Sequence, residues 1–174
     1  ATEGEARLAI RWAVYENNES AYIRLVSIPV EIPFKLPDDY RLKLGRGVYI
    51  KEGTDILLIA YGPVMLSQAY NAALKLKEAG IDAAVMNLPW LNHIDGGWLA
   101  EEVGKYKKIF TIDDHYVKLG QGSIIASELV KQVNHPPIIS LGILEIPVCG
   151  QNAEVLESHK LDAASIVKEI LKNQ

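Results

Sequence analysis

The stretch Lys108-Lys-Ile-Phe-Thr-Ile-Asp-Asp-His-Tyr-Val-Lys-Leu-Gly-Gln-Gly-Ser123 decides how this chain is read. It begins as a buried strand, Lys108 to about Thr111, and runs directly into two acids and a histidine. A glycine turn follows and opens a helix that carries Ile125, Leu129 and Val133 on its inner side, from Gly122 to about Val133. A polar cluster therefore falls at the carboxyl end of a strand, where open α/β sheets hold their chemistry.

The same strand-then-helix pattern recurs on both sides. Asp55 to Tyr61 is a continuous apolar run, the mark of a strand covered on both faces. Gly62-Pro63 then starts a helix with Leu66, Ala69, Tyr70, Ala73 and Leu76 facing inward, ended by Gly80. Ile81 to Leu88 is the next strand and Gly97 to Tyr106 the next helix. His135-Pro-Pro137 precedes the strand Ile138 to Ile143, and helices over 153–158 and 162–171 follow, the last capped by Asp162. Val48 to Ile50 reads as a short edge strand. Alternating strands and helices with short connections predict an α/β fold, a three-layer α/β/α open sheet that is mainly parallel.

The opening of the chain is different. Thr2-Glu-Gly-Glu5 matches a capping box, and the helix after it places Leu8, Ala9, Trp12 and Ala13 on one face. Ala21 to Val26 reads as a short strand with no partner strand of its own. Prolines 29, 33 and 37 make 27–47 an extended connector. The expected organisation is a tail of a preceding unit over 1–26, a linker over 27–47 and the main domain over 48–174.

Composition narrows the function. The chain has 174 residues, 49% of them apolar, with 18 basic and 22 acidic side chains and a net charge of −4. That balance gives no support for nucleic-acid or membrane partners and suits a cytoplasmic protein. No signal peptide is visible in the residues after Ala1. The single cysteine, Cys149, excludes an internal disulfide framework and a cysteine-built metal site.

The central cluster has two readings. Asp113 with His115 can orient an imidazole for acid–base work near neutral pH. Alternatively Asp113 caps a turn or pairs at an interface, with His115 packed beside it. If the strand continues through Asp114, that side chain points to the opposite face from Asp113 and His115, so the three cannot share one metal ion. His93, His135 and His159 lack ligand spacing. Gly120-Gln-Gly-Ser123 and Gly62-Pro63 each offer helix-start N–H groups to an anion, without the spacing of a dinucleotide fingerprint or P-loop.

These residues carry a family resemblance. Thr111-Ile-Asp-Asp-His115 and Leu119-Gly-Gln-Gly-Ser123 are similar to a strand ending T-V-E-E-H and a following G-G-x-G-S turn. That pattern marks the C-terminal domain of transketolase-type thiamine-diphosphate enzymes, including deoxyxylulose-phosphate synthase and 2-oxoacid dehydrogenase β subunits. Both glutamates are aspartates here, and Leu119 stands for a glycine. Ile59-Ala-Tyr-Gly62, Asn87, Ile94-Asp95 and Leu161-Asp-Ala163 match the family in order, and residues 2–26 resemble the end of its pyrimidine-binding domain. Arg24 matches the first arginine of an I-R-Y-P-R-G segment of the synthase branch, while Ser27 replaces the second, the one that meets substrate phosphate; a boundary salt bridge is the alternative reading of Arg24.

The resemblance implies a C-terminal section that supports dimer assembly and shapes the active-site approach, with no catalytic power alone. The complete enzyme would hold the diphosphate of thiamine diphosphate and its Mg through a G-D-G…N motif in its first domain and activate the aminopyrimidine with a glutamate of its middle domain, and this sequence contains neither. No cofactor is expected on this chain by itself. The implied partners are the N-terminal domains or subunit of the same enzyme, a second copy in a homodimer, and a ketose or oxoacid substrate in carbohydrate metabolism. His115, Asp113 and Arg24 are the candidates to face a substrate channel. The alternative is an independent small-ligand or protein-interaction module on the same fold.

Overall fold

The computed structural model describes residues 1–132 and 134–173. Its centre is β2 (Ile56–Ala60), every residue of which is buried. Strand alternation sends Ile56, Leu58 and Ala60 into one apolar cluster and Leu57 and Ile59 into another. Covering both sides of this strand is what a run without polar residues requires.

Helix α1 (Glu3–Tyr15) precedes the sheet, and β1 (Val48–Lys51) opens it. After β2 come α2 (Gly62–Glu78), β3 (Ala83–Asn87), α3 (Gly96–Val103), β4 (Lys108–Tyr116), α4 (Gln121–Leu129), β5 (Ile138–Ile143), α5 (Asn152–Ser158) and α6 (Ala163–Lys172). The spatial order is β1-β3-β2-β4-β5, with β1 antiparallel to β3 and the remaining pairs parallel. Residues of α2, α5 and α6 share one cluster with the sheet, and residues of α3 and α4 share the other. This is the three-layer α/β/α sheet expected from the sequence. At the β1 edge, the register shifts between Tyr49 and Lys51, and Lys51 donates from Nζ to the Ala83 carbonyl at 2.8 Å.

Three expectations need correction. Ala21 to Val26 is not a strand: it has no regular secondary structure and no ladder partner among the described residues, and Tyr22 and Leu25 are exposed. High β propensity cannot make a strand without a second row of donors and acceptors. β4 is longer than expected and carries the polar residues through Tyr116, because β5 continues to pair with it across an irregularity between Ile112 and Tyr116. The capping box is half formed. Thr2 accepts from the Glu5 N–H at 3.2 Å, but the Glu5 carboxylate turns inward to other partners. Val133, expected on the inner face of α4, lies outside the described residues.

The topology also fixes where a crevice must form. From β2 the chain moves to β3 on one side, then returns to β4 on the other. Helices leaving the carboxyl ends of β2 and β4 therefore diverge to opposite faces, and this switch point lies at Tyr61 and Asp113.

Candidate functional site at the end of strand four

Alternation along β4 sorts its polar side chains. Ile109 packs in the α3/α4 cluster, while Phe110 and Ile112 pack on the α2/α6 side. Thr111 and Asp113 therefore lie on the α4 side and Asp114 on the other. Thr111 donates to, or accepts from, the Ser140 hydroxyl of β5 at 2.9 Å.

Asp113 is fully buried beneath the first turn of α4. Its Oδ1 accepts from the Gln121 N–H at 3.1 Å and its Oδ2 from the Gly122 N–H at 3.0 Å. These are donors that a helix start leaves without partners, and a carboxylate there also suits the helix dipole. The anion position at this helix is thus filled by the chain's own side chain. Burial raises the Asp113 pKa, against the pull of those two N–H groups and of Tyr61. The Tyr61 phenol is held protonated by burial first, then by the negative charges of Asp113 and Asp114.

The glycines of the turn serve close approach. A Cβ at Gly122 would lie 2.3 Å from Thr111 Oγ1 and 2.7 Å from Ser140 Oγ, and one at Gly120 would lie 2.5 Å from the Tyr116 carbonyl. Ser123 braces the turn, accepting from the Leu119 N–H at 3.2 Å and donating to the Val117 carbonyl at 2.8 Å. Leu119, where the resemblance has a glycine, holds φ at 66° with its side chain in solvent. The Gln121 amide donates to the Leu88 and Trp90 carbonyls at 2.6 and 2.8 Å, tying α4 to the loop after β3.

Asp114 meets Arg24 in a two-pronged ion pair, Nη1 to Oδ1 at 2.9 Å and Nη2 to Oδ2 at 3.1 Å. His115 is exposed; Nδ1 lies 3.1 Å from the Tyr116 carbonyl, and the two rings meet edge-on. No hydrogen bond or ion pair joins Asp113 to His115 among the described residues. The structure thus brings Arg24 to Asp114 and α4 to Asp113, and leaves His115 facing solvent.

A second polar cluster was not legible in the sequence. Glu5, almost fully buried, accepts at Oε1 from the Tyr40 hydroxyl at 2.7 Å and from Asn87 Nδ2 at 2.6 Å. Asn87 Oδ1 has no hydrogen-bond partner among the described residues. Burial, then the Glu5 charge, pushes the Tyr40 pKa up. The signal available was the acid of the capping box, which serves this cluster instead of the helix start.

At the β4–α4 turn the donors that a diphosphate would need are already taken by the chain itself. The helix start nearest the candidate residues is filled by Asp113, and no three His, Cys, Asp or Glu side chains among the described residues could hold a metal ion. Nor is any described helix long and apolar enough to cross a membrane.

Comparison with known proteins gives this geometry a family. The transketolase C-terminal domain family matches residues 45–166. A Phocaeicola vulgatus protein, named as one of the subunits of an apulose-4-phosphate transketolase, is 29% identical over 155 residues, covering 88% of this chain and 48% of that protein. The 1-deoxy-D-xylulose-5-phosphate synthase of Helicobacter pylori is 34% identical over 131 residues, 75% of this chain and 21% of that one. A solved structure described as a split-gene transketolase, an inactive beta4 tetramer, superposes with a TM-score of 0.72 at 30% identity, over 81% of this chain and 46% of that chain. The chain spans about half, or less, of the length of the curated relatives it matches. Matched by the family over most of its length, and built on the parallel sheet and strand-to-helix turn described above, this chain belongs to the transketolase C-terminal domain family.

Proposed function

We propose that this chain is the C-terminal section of a thiamine-diphosphate-dependent, transketolase-type transferase of carbohydrate metabolism, inactive alone. In that enzyme it supports assembly of a homodimer and shapes the approach to an active site built mostly by an N-terminal partner. The observation that carries the reading is the family match over residues 45–166 on a chain whose central turn is engaged with itself. Thiamine diphosphate and Mg would belong to the partner half, and the ketose or oxoacid substrate would be held largely there. Two relatives, one named as a single subunit of its transketolase and one solved as a tetramer from a split gene, are the precedent for a separate partner and for self-association.

Three divisions of labour go with this reading. His115, exposed at the carboxyl end of β4, is the side chain that faces the substrate channel. Asp113 acts by fixing the start of α4, and Arg24 by its pairing with Asp114. Residues 1–26 belong to a preceding pyrimidine-binding unit, 27–47 to the linker and 48–174 to the C-terminal domain. The exposed, ladderless Ala21 to Val26 and a family match that starts at residue 45 support that division.

Mixing the chain with a partner that carries the G-D-G…N motif and the activating glutamate tests the proposal. Two-carbon ketol transfer is expected from the mixture and from neither half alone. Absence of transfer with every partner encoded beside this chain would sink it. Calorimetry of the isolated chain with phosphates, nucleotides and oxoacids tests the rival, an independent module, which requires a tight ligand for the chain alone.

A further inference from the structure

The segment from Ser20 to Glu31 lies over the carboxyl-end side of the sheet with unusually few attachments. No backbone hydrogen bond within it or from it to the body exists among the described residues. Its polar ties are Arg24 to Asp114 and, at its far end, the Ser67 hydroxyl donating to the Glu31 carbonyl at 3.1 Å. Apolar burial holds it unevenly: Tyr22 is 90% exposed and Leu25 62%, whereas Ile23 is half-buried and Val30, near its far end, packs against the core. Between residues 24–28 and the floor formed by Val64, Leu156 and His159 there is a crevice of about 350 Å³. A gap of that size forfeits the dispersion contacts that would otherwise glue a segment down.

We propose that the Arg24–Asp114 pair is a latch, and that residues 20–31 form a strap that swings away to uncover this crevice. The latch side chains are 41% and 26% exposed, so salt screens their attraction. Two parallel N–H···O bonds fix the strap's position while the latch is shut. Opening breaks that pair and frees a segment that gives up few other contacts, and the regained chain entropy favours the open form. Asp114 is then left without its partner at the end of β4, one residue from the buried Asp113. The latch does not depend on the transferase reading, since it concerns only contacts within this chain.

Limited chymotrypsin digestion of the full chain tests it, with cuts after Tyr22 and Leu25 followed by mass spectrometry. Rates are normalised to a free peptide of the strap sequence, so that salt effects on the protease cancel. Losing a pair of this exposure is expected to raise strap nicking about twofold in Arg24→Gln, because cleavage follows the population of the open form. Wild-type chain at about 1 M salt should move the same way. The charge-swapped double variant, Arg24→Asp with Asp114→Arg, should return to slow cutting at low salt. Thermal midpoints should stay nearly fixed throughout. Unchanged nicking in Arg24→Gln overturns the latch. So does a rise spread evenly over sites along the whole chain with a lower midpoint, which would make the pair an ordinary brace of the fold.

Discussion

Two regions of this molecule use carboxylates from the same strand in opposite ways. At the β4–α4 turn, Asp113 is sealed from water and gives both oxygens to backbone N–H groups of a helix nine residues away or fewer in sequence. On the other face of β4, Asp114 reaches a side chain 90 residues earlier, in a segment without regular structure. The first arrangement is local, dry and tied into the core; the second is distant, wet and one of two polar ties of its segment among the described residues. One step along a strand separates an interaction that holds the fold together from one that can open without disturbing it.

The largest effect is expected where that comparison is most extreme. Asp113→Ala leaves two buried N–H groups unpaired and should lower stability by about 3 kcal/mol, measured by urea unfolding. A loss below about 1 kcal/mol would mean that water replaces the carboxylate, and the contrast with Asp114 would collapse. Gly122→Ala pushes a methyl into the Thr111 and Ser140 hydroxyls and should cost about 2 kcal/mol. Unchanged unfolding would show that α4 can lift off β4.

The pH dependence of Asp113 sharpens the same point. Burial raises its pKa above the ordinary 3.8, so the native state holds this proton more tightly than the unfolded chain. Stability from the group is full below the ordinary pKa and declines as pH rises through the higher folded value. Asp113→Asn should remove that decline, seen as a difference between urea midpoints of variant and wild type from about pH 4 upward. Working with the difference matters, because Asp55, Asp95 and Asp162 have lowered pKa values and lose stability in the opposite direction, as pH falls. A variant that keeps the full wild-type slope would assign it to another group.

A smaller change is expected at Leu119. Relief of its left-handed backbone outweighs the extra chain freedom of glycine, so Leu119→Gly should stabilise by about 0.5 kcal/mol in thermal unfolding. Loss of stability instead would reveal a packing role for a side chain that is 78% exposed. At the wet end of the comparison, Arg24→Gln should change global stability by less than about 0.5 kcal/mol. A drop of several kcal/mol would erase the distinction between the two carboxylates.

The sheet was legible because its signal is apolar periodicity, which depends on near neighbours in sequence. The run from Ile56 to Ala60 needs two covered faces whatever surrounds it, and Asp162 caps the last helix with donors only two and three residues on. The candidate site was only partly legible. Asp113 beside a glycine turn suggested a cap as well as a base, and the pattern alone could not choose, since the deciding donors depend on how closely α4 docks. Arg24 gave no sign of Asp114, because ion pairs across 90 residues have no period. Glu5 misled for a related reason: a helix-start motif describes which bond is available, whereas burial against Tyr40 and Asn87 decides which is made.

The shifted register of β1 and its inward-reaching Lys51 have a consequence for crowding in the cell. A kinked margin whose lysine folds back over it onto the Ala83 carbonyl is a poor template for a foreign strand. Strand-by-strand pairing between copies of the chain is thereby disfavoured along that border of the sheet.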